Sequence, residues 1–294
     1  MRLGTRGSRL ALWQANQVKS ELTHLGYDID IQIIKTKGDQ IQHLSFDKIE
    51  GKGFFTKEIE DALLSKDVDF AVHSMKDLPT EQPAGLMLAS LSERADPRDT
   101  LLLLANKLDS ESPIKLKPNL KIGTSSARRK ANVKALFPDV TIEDIRGNVP
   151  TRIQKLRDGH FDGILLAKAG LDRLELDVSD LFVFHFEPTE FVPAPAQGVL
   201  AYQCRREDKE VIKALRQIHS FDSSDCTNVE RKVLQMMDGG CHLPLGVYCK
   251  KDKMGYYHAS ACFSKNLEFP LKRLKLSQST SHKLAENIFE QIND

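Results

Sequence analysis

Apolar residues recur at helical spacing at Ala11, Ala15, Val18, Leu22 and Leu25, and Gly26 closes the run. The spacing predicts a helix whose first turn Ser8 can cap. Arg2 to Gly4 reads as the end of a short strand before it, and Ile29, Ile31 and Ile33 alternate as a strand after it. Phe55, Ile59, Ala62 and Leu63 mark one face of a second helix, followed by a buried strand from Val68 to His73. The run Leu101-Leu102-Leu103-Leu104 reads as another buried strand. A short strand at Lys121-Ile122-Gly123 leads through Thr124-Ser125-Ser126, which offers caps, into a helix opening with Ala127-Arg128-Arg129. Val140 to Ile145 is a strand, and a helix with Ile153 and Leu156 follows. Phe161 to Ala167 is a strand, and a short helix with Leu171 and Leu174 follows it. This alternation predicts α/β layers with mostly parallel strands. From about Asp208 the pattern changes: helical at Val211, Leu215 and Ile218, strands around Val247–Cys249 and Tyr256–Cys262, and a last helix through Leu284, Ile288 and Ile292.

Two stretches interrupt the pattern. Residues 92–99 are polar and charged, and Pro188, Pro193 and Pro195 cluster further on; both read as domain crossings. A chain of 294 residues suggests two or three domains of roughly 100–150 residues. Residues 40–53 have no period, and a loop this long is often a lid. Its Gly51-Lys52-Gly53 lacks the glycine spacing and the Lys-Ser/Thr pair of a phosphate-binding P-loop. With 42 basic and 41 acidic residues there is no global field for nucleic acid or an anionic membrane, so any anion site is built locally. No apolar run approaches the ~18 residues of a membrane span. No export signal is expected at Met1-Arg2-Leu3-Gly4. The five cysteines are odd in number and lack C-x-x-C spacing, against a disulfide framework or a cysteine-rich zinc site. A reducing cytoplasm is the expectation.

Ligands of parallel α/β sheets bind beyond the carboxyl ends of strands. Five such turns are predicted, and each carries a cation: Arg6; Lys76; Arg128 with Arg129; Arg146 with Arg152; and Arg173. Ser8, Ser74, Thr124 and Ser126 add hydroxyls. Helix N-termini attract anions, and the planar arginine fork bonds both oxygens of a carboxylate or phosphate. Such a concentration, in a chain without net basicity, points to a cleft for several anionic groups; solvated surface arginines are the alternative. Asp77 stands among these cations, as a general acid/base, a stabiliser of developing positive charge, or a structural partner of Lys76. His73 is a base or a packed histidine. Cys241 follows Gly239-Gly240 and precedes His242-Leu243-Pro244, a tight loop that aims one sulfur. It is either an idle thiol or a functional one.

Several motifs in order resemble the porphobilinogen deaminase (hydroxymethylbilane synthase) family. They are Thr5-Arg6-Gly7-Ser8-Arg9-Leu10-Ala11-Leu12-Trp13-Gln14-Ala15, Gly51-Lys52-Gly53-Phe54-Phe55-Thr56-Lys57-Glu58, Ala71-Val72-His73-Ser74-Met75-Lys76-Asp77-Leu78-Pro79, Gly123-Thr124-Ser125-Ser126-Ala127-Arg128-Arg129, Arg146-Gly147-Asn148-Val149, Pro193-Ala194-Pro195-Ala196-Gln197-Gly198 and Gly239-Gly240-Cys241. The resemblance implies three domains: residues 1–92 with 191–207, residues 93–190, and residues 208–294. The first two would form a hinged two-lobed cleft like that of type II periplasmic binding proteins, and the third a smaller α+β domain carrying the Cys241 loop. It implies a transferase that joins four porphobilinogen molecules head to tail, releasing ammonia, on a dipyrromethane cofactor held by a thioether to Cys241. Asp77 would be catalytic. Lys76, Thr124, Ser126, Arg128, Arg129, Arg146 and Gln197 would hold the cofactor; Arg6, Ser8, Ser74, Arg152 and Arg173 the substrate. Lys52 and Phe54 would belong to a lid. The implied protein is a cytoplasmic monomer without metal, nucleic-acid or membrane partner. The competing reading is a two-lobed anion-binding module without catalysis. Ala196, Gln203 and Pro150 depart from the family's usual residues at their positions.

Overall fold

Strand β1 (Arg2–Thr5) opens the chain, and Ser8 turns it into helix α1 (Arg9–His24) by accepting the Ala11 N–H at 3.3 Å. The computed structural model describes residues 1–36, 56–109, 117–238 and 243–293. Ala15, Val18 and Leu22 bury one stripe of α1 against Leu3, Phe70 and Val72. Strand β2 (Asp30–Ile33) lies parallel to β1. Helix α2 (Lys57–Leu64), strand β3 (Phe70–Ser74) and strand β4 (Leu86–Leu91) follow, with Ile59 and Leu63 packed on Val68, Ala71 and Leu86.

The chain forms two compact units, residues 1–95 with 196–231 and residues 96–195 with 232–294. In the first, the sheet order is β2-β1-β3-β10-β4, where β10 is Leu200–Arg205. Helix α6 (Lys209–Arg216) places Val211 and Leu215 in the same core as α1, and helix α7 (Phe221–Met236) follows.

The second unit holds β5 (Asp99–Leu104), β6 (Lys121–Gly123), α3 (Ala127–Leu136), β7 (Thr141–Glu143), α4 (Val149–Arg157), β8 (Gly163–Ala167), α5 (Lys168–Leu174) and β9 (Leu181–His185). Its sheet order is β7-β6-β8-β5-β9. Leu101 and Leu103 enter one apolar cluster and Leu102 the opposite one, so the four-leucine run is a strand buried on both faces. An antiparallel sheet of β11 (Leu245–Lys251), β12 (Tyr257–Phe263) and β13 (Lys272–Gln278) completes this unit, with helix α8 (Leu284–Asn293) packed on β12 and β13.

The expectation of mostly parallel strands holds for direction but not for pairing. In each five-stranded sheet one strand runs against the other four: β10 in the first, β5 in the second. Each is the first strand after the chain crosses from the other unit. Parallel neighbours need a covering crossover, whereas a strand entered from another unit needs none. Strands β4, β9, β10 and β13 and helix α7 have no counterpart in the periodicity reading. In α7, Asp222, Ser223, Ser224 and Asp225 crowd the first turns and hide the helical period.

Candidate functional site

The C-terminal ends of β1 and β3 meet in the first unit. Thr5, Arg6 and Ser8 from the β1–α1 turn and His73, Ser74 and Asp77 from the end of β3 line one pocket, together with Gln14 and Thr56. Asp77 closes a three-residue 3-10 turn, Met75–Asp77, and is exposed, while Met75 and Leu78 on either side are buried. The turn thus anchors on its apolar residues and presents the carboxylate. Ser74 Oγ accepts from Gln14 Nε2 at 2.9 Å. Lys76 Nζ donates to Gln197 Oε1 at 3.3 Å, which ties the turn to the segment that returns from the second unit.

His73 is buried, and its Nε2 lies 3.2 Å from Gln203 Oε1. Gln203 Nε2 in turn donates to Gln82 Oε1 at 2.8 Å and Glu60 Oε1 at 3.4 Å. Burial pushes the imidazole down to about 4, against the Gln203 hydrogen bond and with help from the Arg6 charge. Burial likewise raises the Glu60 carboxyl. His73 is therefore neutral near pH 7.

In the second unit Arg128 and Arg129, at the start of α3, converge on Asp99, the first residue of β5. Arg128 Nη1 donates to Asp99 Oδ2 at 2.7 Å, and Arg129 Nε and Nη2 donate to Oδ1 at 2.9 and 2.7 Å. Arg128 Nη1 also reaches the Val192 carbonyl at 2.8 Å, and Arg129 Nη1 the Leu165 carbonyl at 3.1 Å. Burial pushes Asp99 up, but the two guanidinium charges outweigh it and hold the carboxyl at about 2. Two buried guanidinium groups thus share one buried carboxylate. Arg128 Nε is buried without a hydrogen-bond partner.

Ser126 caps α3 by accepting the Arg129 N–H at 3.4 Å, and Thr124 is buried with its Oγ1 accepting the Ser126 N–H at 3.3 Å. Arg146 and Arg152 flank the turn into α4, where Arg152 Nε donates to the Gly147 carbonyl at 2.7 Å. Arg173 lies half-buried on α5. Arg6, Ser8, Ser74 and Asp77 are thus brought together within the first unit, and Arg128 with Arg129 within the second. Lys52, Phe54 and Cys241 lie outside the described residues.

Residues 1–213 match the family model described as porphobilinogen deaminase, dipyromethane cofactor binding domain. Relatives named porphobilinogen deaminase include one from Sulfurimonas denitrificans, 40% identical over 294 residues and covering 99% of this chain and 91% of that protein. Another from Clostridium novyi is 38% identical over 302 residues, 99% of each. A third from a Nitratiruptor species is 43% identical over 245 residues, 83% of this chain and 77% of its own length. The chain belongs to the porphobilinogen deaminase family. Among solved structures, a probable amino-acid ABC transporter extracellular-binding protein from Bacillus subtilis is similar at a TM-score of 0.44 and 13% identity, over 74% of this chain and 90% of that one.

Porphobilinogen deaminases use a dipyrromethane cofactor, which carries several carboxylates. The donor set of the second unit fits that group: Arg128 holds a buried, unsatisfied N–H beside a second guanidinium, that of Arg129, and the hydroxyls of Thr124 and Ser126 stand at the end of β6. Motif reading missed two site residues. Gln14 is buried on α1 and shares its helix with an apolar stripe, so its polar head reads as incidental. Asp99 closes the polar, charged stretch 92–99 that reads as a domain crossing; the one signal is that it stands directly before Thr100 and the buried leucine strand.

The family departures have structural settings. Pro150 falls in the first turn of α4, where its missing N–H has no helical partner, and Asn148 caps that helix through Thr151 N–H at 2.9 Å. Gln203 joins His73 to Glu60. Ala196 sits at φ 61°, a left-handed conformation that favours glycine.

Proposed function

We propose that this chain is a hydroxymethylbilane synthase: it joins four porphobilinogen molecules head to tail with release of one ammonia from each, in the biosynthesis of tetrapyrroles. The observation that carries this reading is the Asp77 pocket, with Arg6 and the hydroxyls of Ser8 and Ser74 at two strand ends, in a chain of this family. Porphobilinogen bears two carboxylates, so a growing chain gathers negative charge, and arginines at strand ends answer that need.

We assign Arg6, Ser8, Ser74, Arg152 and Arg173 to substrate carboxylates, with Lys76, Thr124, Ser126, Arg128, Arg129, Arg146 and Gln197 holding the cofactor. Bound dipyrromethane supplies the pyrrole carbon to which the first unit is joined. When ammonia leaves porphobilinogen, positive charge spreads over its pyrrole ring. Asp77, exposed in the pocket, stabilises that charge at the ring nitrogen and takes up the proton released when the new carbon–carbon bond forms. Lys52 and Phe54 are read as lid residues.

Cys241 is assigned as the thioether tether, presented by the C-terminal portion of the chain. Its chemistry is supported by its rivals: Cys204, Cys226, Cys249 and Cys262 are buried. Burial pushes the Cys204 thiol up to about 11 and raises that of Cys262, and a thiol rather than a thiolate is a poor nucleophile. Among the described residues no helix is long and apolar enough to cross a membrane. We read the protein as a cytoplasmic monomer that binds no nucleic acid. The direct experiment is the intact mass of protein purified from porphobilinogen-replete cells. The expected mass exceeds that of the sequence by one dipyrromethane, and Cys241→Ser abolishes the increment. An unmodified wild-type mass overturns the reading.

A further inference from the structure

The turn that presents Asp77 has a backbone problem. A three-residue 3-10 turn closes one hydrogen bond of its own, from Leu78 N–H to the Met75 carbonyl at 3.2 Å. Buried carbonyls around it still need donors. Helix α7 supplies them, joined at the Pro79 carbonyl by Gln82 Nε2 at 3.2 Å. Arg231 Nη1 donates to the Met75 and Leu78 carbonyls, both at 3.1 Å, and Nη2 donates to the Pro79 carbonyl at 2.6 Å. One buried guanidinium therefore holds carbonyls before and after Asp77. Its neighbour Glu230 accepts from Arg94 Nη1 at 2.6 Å, Arg94 Nη2 at 3.2 Å and the Ala196 N–H at 2.6 Å. The ion pair and the Ala196 hydrogen bond fix α7 to the segment after β4 and to the segment before β10, so the guanidinium is delivered from a rigid base.

We infer that Arg231 is a positioning residue for the reaction, which sets the Asp77 carboxylate by clamping the carbonyls of Met75, Leu78 and Pro79. The inference rests on the reading of Asp77 given above. The planar fork is what the geometry requires: two of its nitrogens reach three carbonyls that diverge around a tight turn. A lysine ammonium, a point charge on a flexible stem, cannot span them at once. Met75 and Leu78 also anchor the turn in an apolar cluster with Leu91, Val199 and Ala201. Loss of Arg231 should therefore loosen and shift the turn while leaving the sheet folded.

The test uses full-length, cofactor-loaded Arg231→Gln and Arg231→Lys. A carboxylate misplaced by about 1 Å loses about 10²-fold in kcat, while KM for porphobilinogen stays within about twofold. Hydrogen exchange of the Leu78 amide quickens by at least roughly tenfold with β3 amides unchanged, a pattern that a general loss of stability does not produce. The lysine variant recovers part of the exchange protection and little of the kcat; it reads the same quantities if the glutamine variant does not fold. An unchanged kcat in loaded protein, or exchange that quickens equally along β3, overturns the inference. Asp77→Asn separates the two claims. If it retains turnover, the reading of Asp77 fails; if it stalls while the Arg231 variants keep kcat, the clamp alone fails.

Discussion

Replacing Asp99 by asparagine keeps the shape of the side chain and one oxygen acceptor but removes its charge. Two guanidinium groups are then left buried at the start of α3 without this carboxylate, bonded still to the Val192 and Leu165 carbonyls. Breaking a buried ion pair from one side typically removes roughly 3–5 kcal/mol, because the remaining charge stays desolvated. The carboxyl's own titration sets a second, smaller magnitude. Its displacement from 3.8 to about 2 corresponds to about 2 kcal/mol of pH-dependent stability. A depressed carboxyl stabilises the fold fully above its unfolded value and loses that contribution as pH falls toward about 2. The wild-type second unit should thus weaken between about pH 4 and pH 2 by that amount, and Asp99→Asn should lack this component. Because the chain has two units, hydrogen exchange of β5 amides in graded urea is the appropriate assay rather than one global transition. Adding Arg128→Met to Asp99→Asn should recover part of the loss by removing an unpaired charge. A loss below about 1 kcal/mol, the range of exposed ion pairs, with the acid slope intact, refutes the claim that Asp99 holds the arginine pair.

Other outcomes follow from single residues. Asp77→Asn should keep the cofactor mass yet lose roughly 10²–10⁴-fold in turnover, measured by single-turnover assay with porphobilinogen; near-normal rates remove Asp77 from its role. Ala196→Gly should raise stability by about 1 kcal/mol, since alanine is strained at φ 61°; the readout is urea unfolding, and a destabilised variant contradicts the strain argument. Nitrogen NMR should find His73 neutral at pH 5.5, with its proton on Nε2 facing Gln203. Its depressed value means that stability falls as pH drops from about 6.5 toward about 4, because the unfolded imidazole takes up a proton first. A protonated His73 at pH 5.5 would show that burial does not dominate its environment.

Much of this protein is legible before any coordinates. Apolar periodicity marks α1, α2, β3, β8 and α8, and the cations at strand ends mark an anion site, because a parallel α/β layer leaves few other places for a ligand. Motif order carries the family, the cofactor and the reaction. Sequence pattern fails where polar residues are buried or where an element's period is masked. Asp99 reads as one charge in a domain crossing, yet it is wholly buried under two arginines. Gln14 and Gln203 have no role in the sequence pattern, yet they hold Ser74 and His73. Arg231 lies in a helix that periodicity does not reveal, 154 positions from Asp77, and its three acceptors are main-chain oxygens that no residue type encodes. Local chemistry and spacing are written along the chain, so the sequence by itself determined most of the elements and the family. Which buried charge meets which, and which turn a distant arginine supports, depends on desolvation and on contacts across the sheet, so only the tertiary structure decided those.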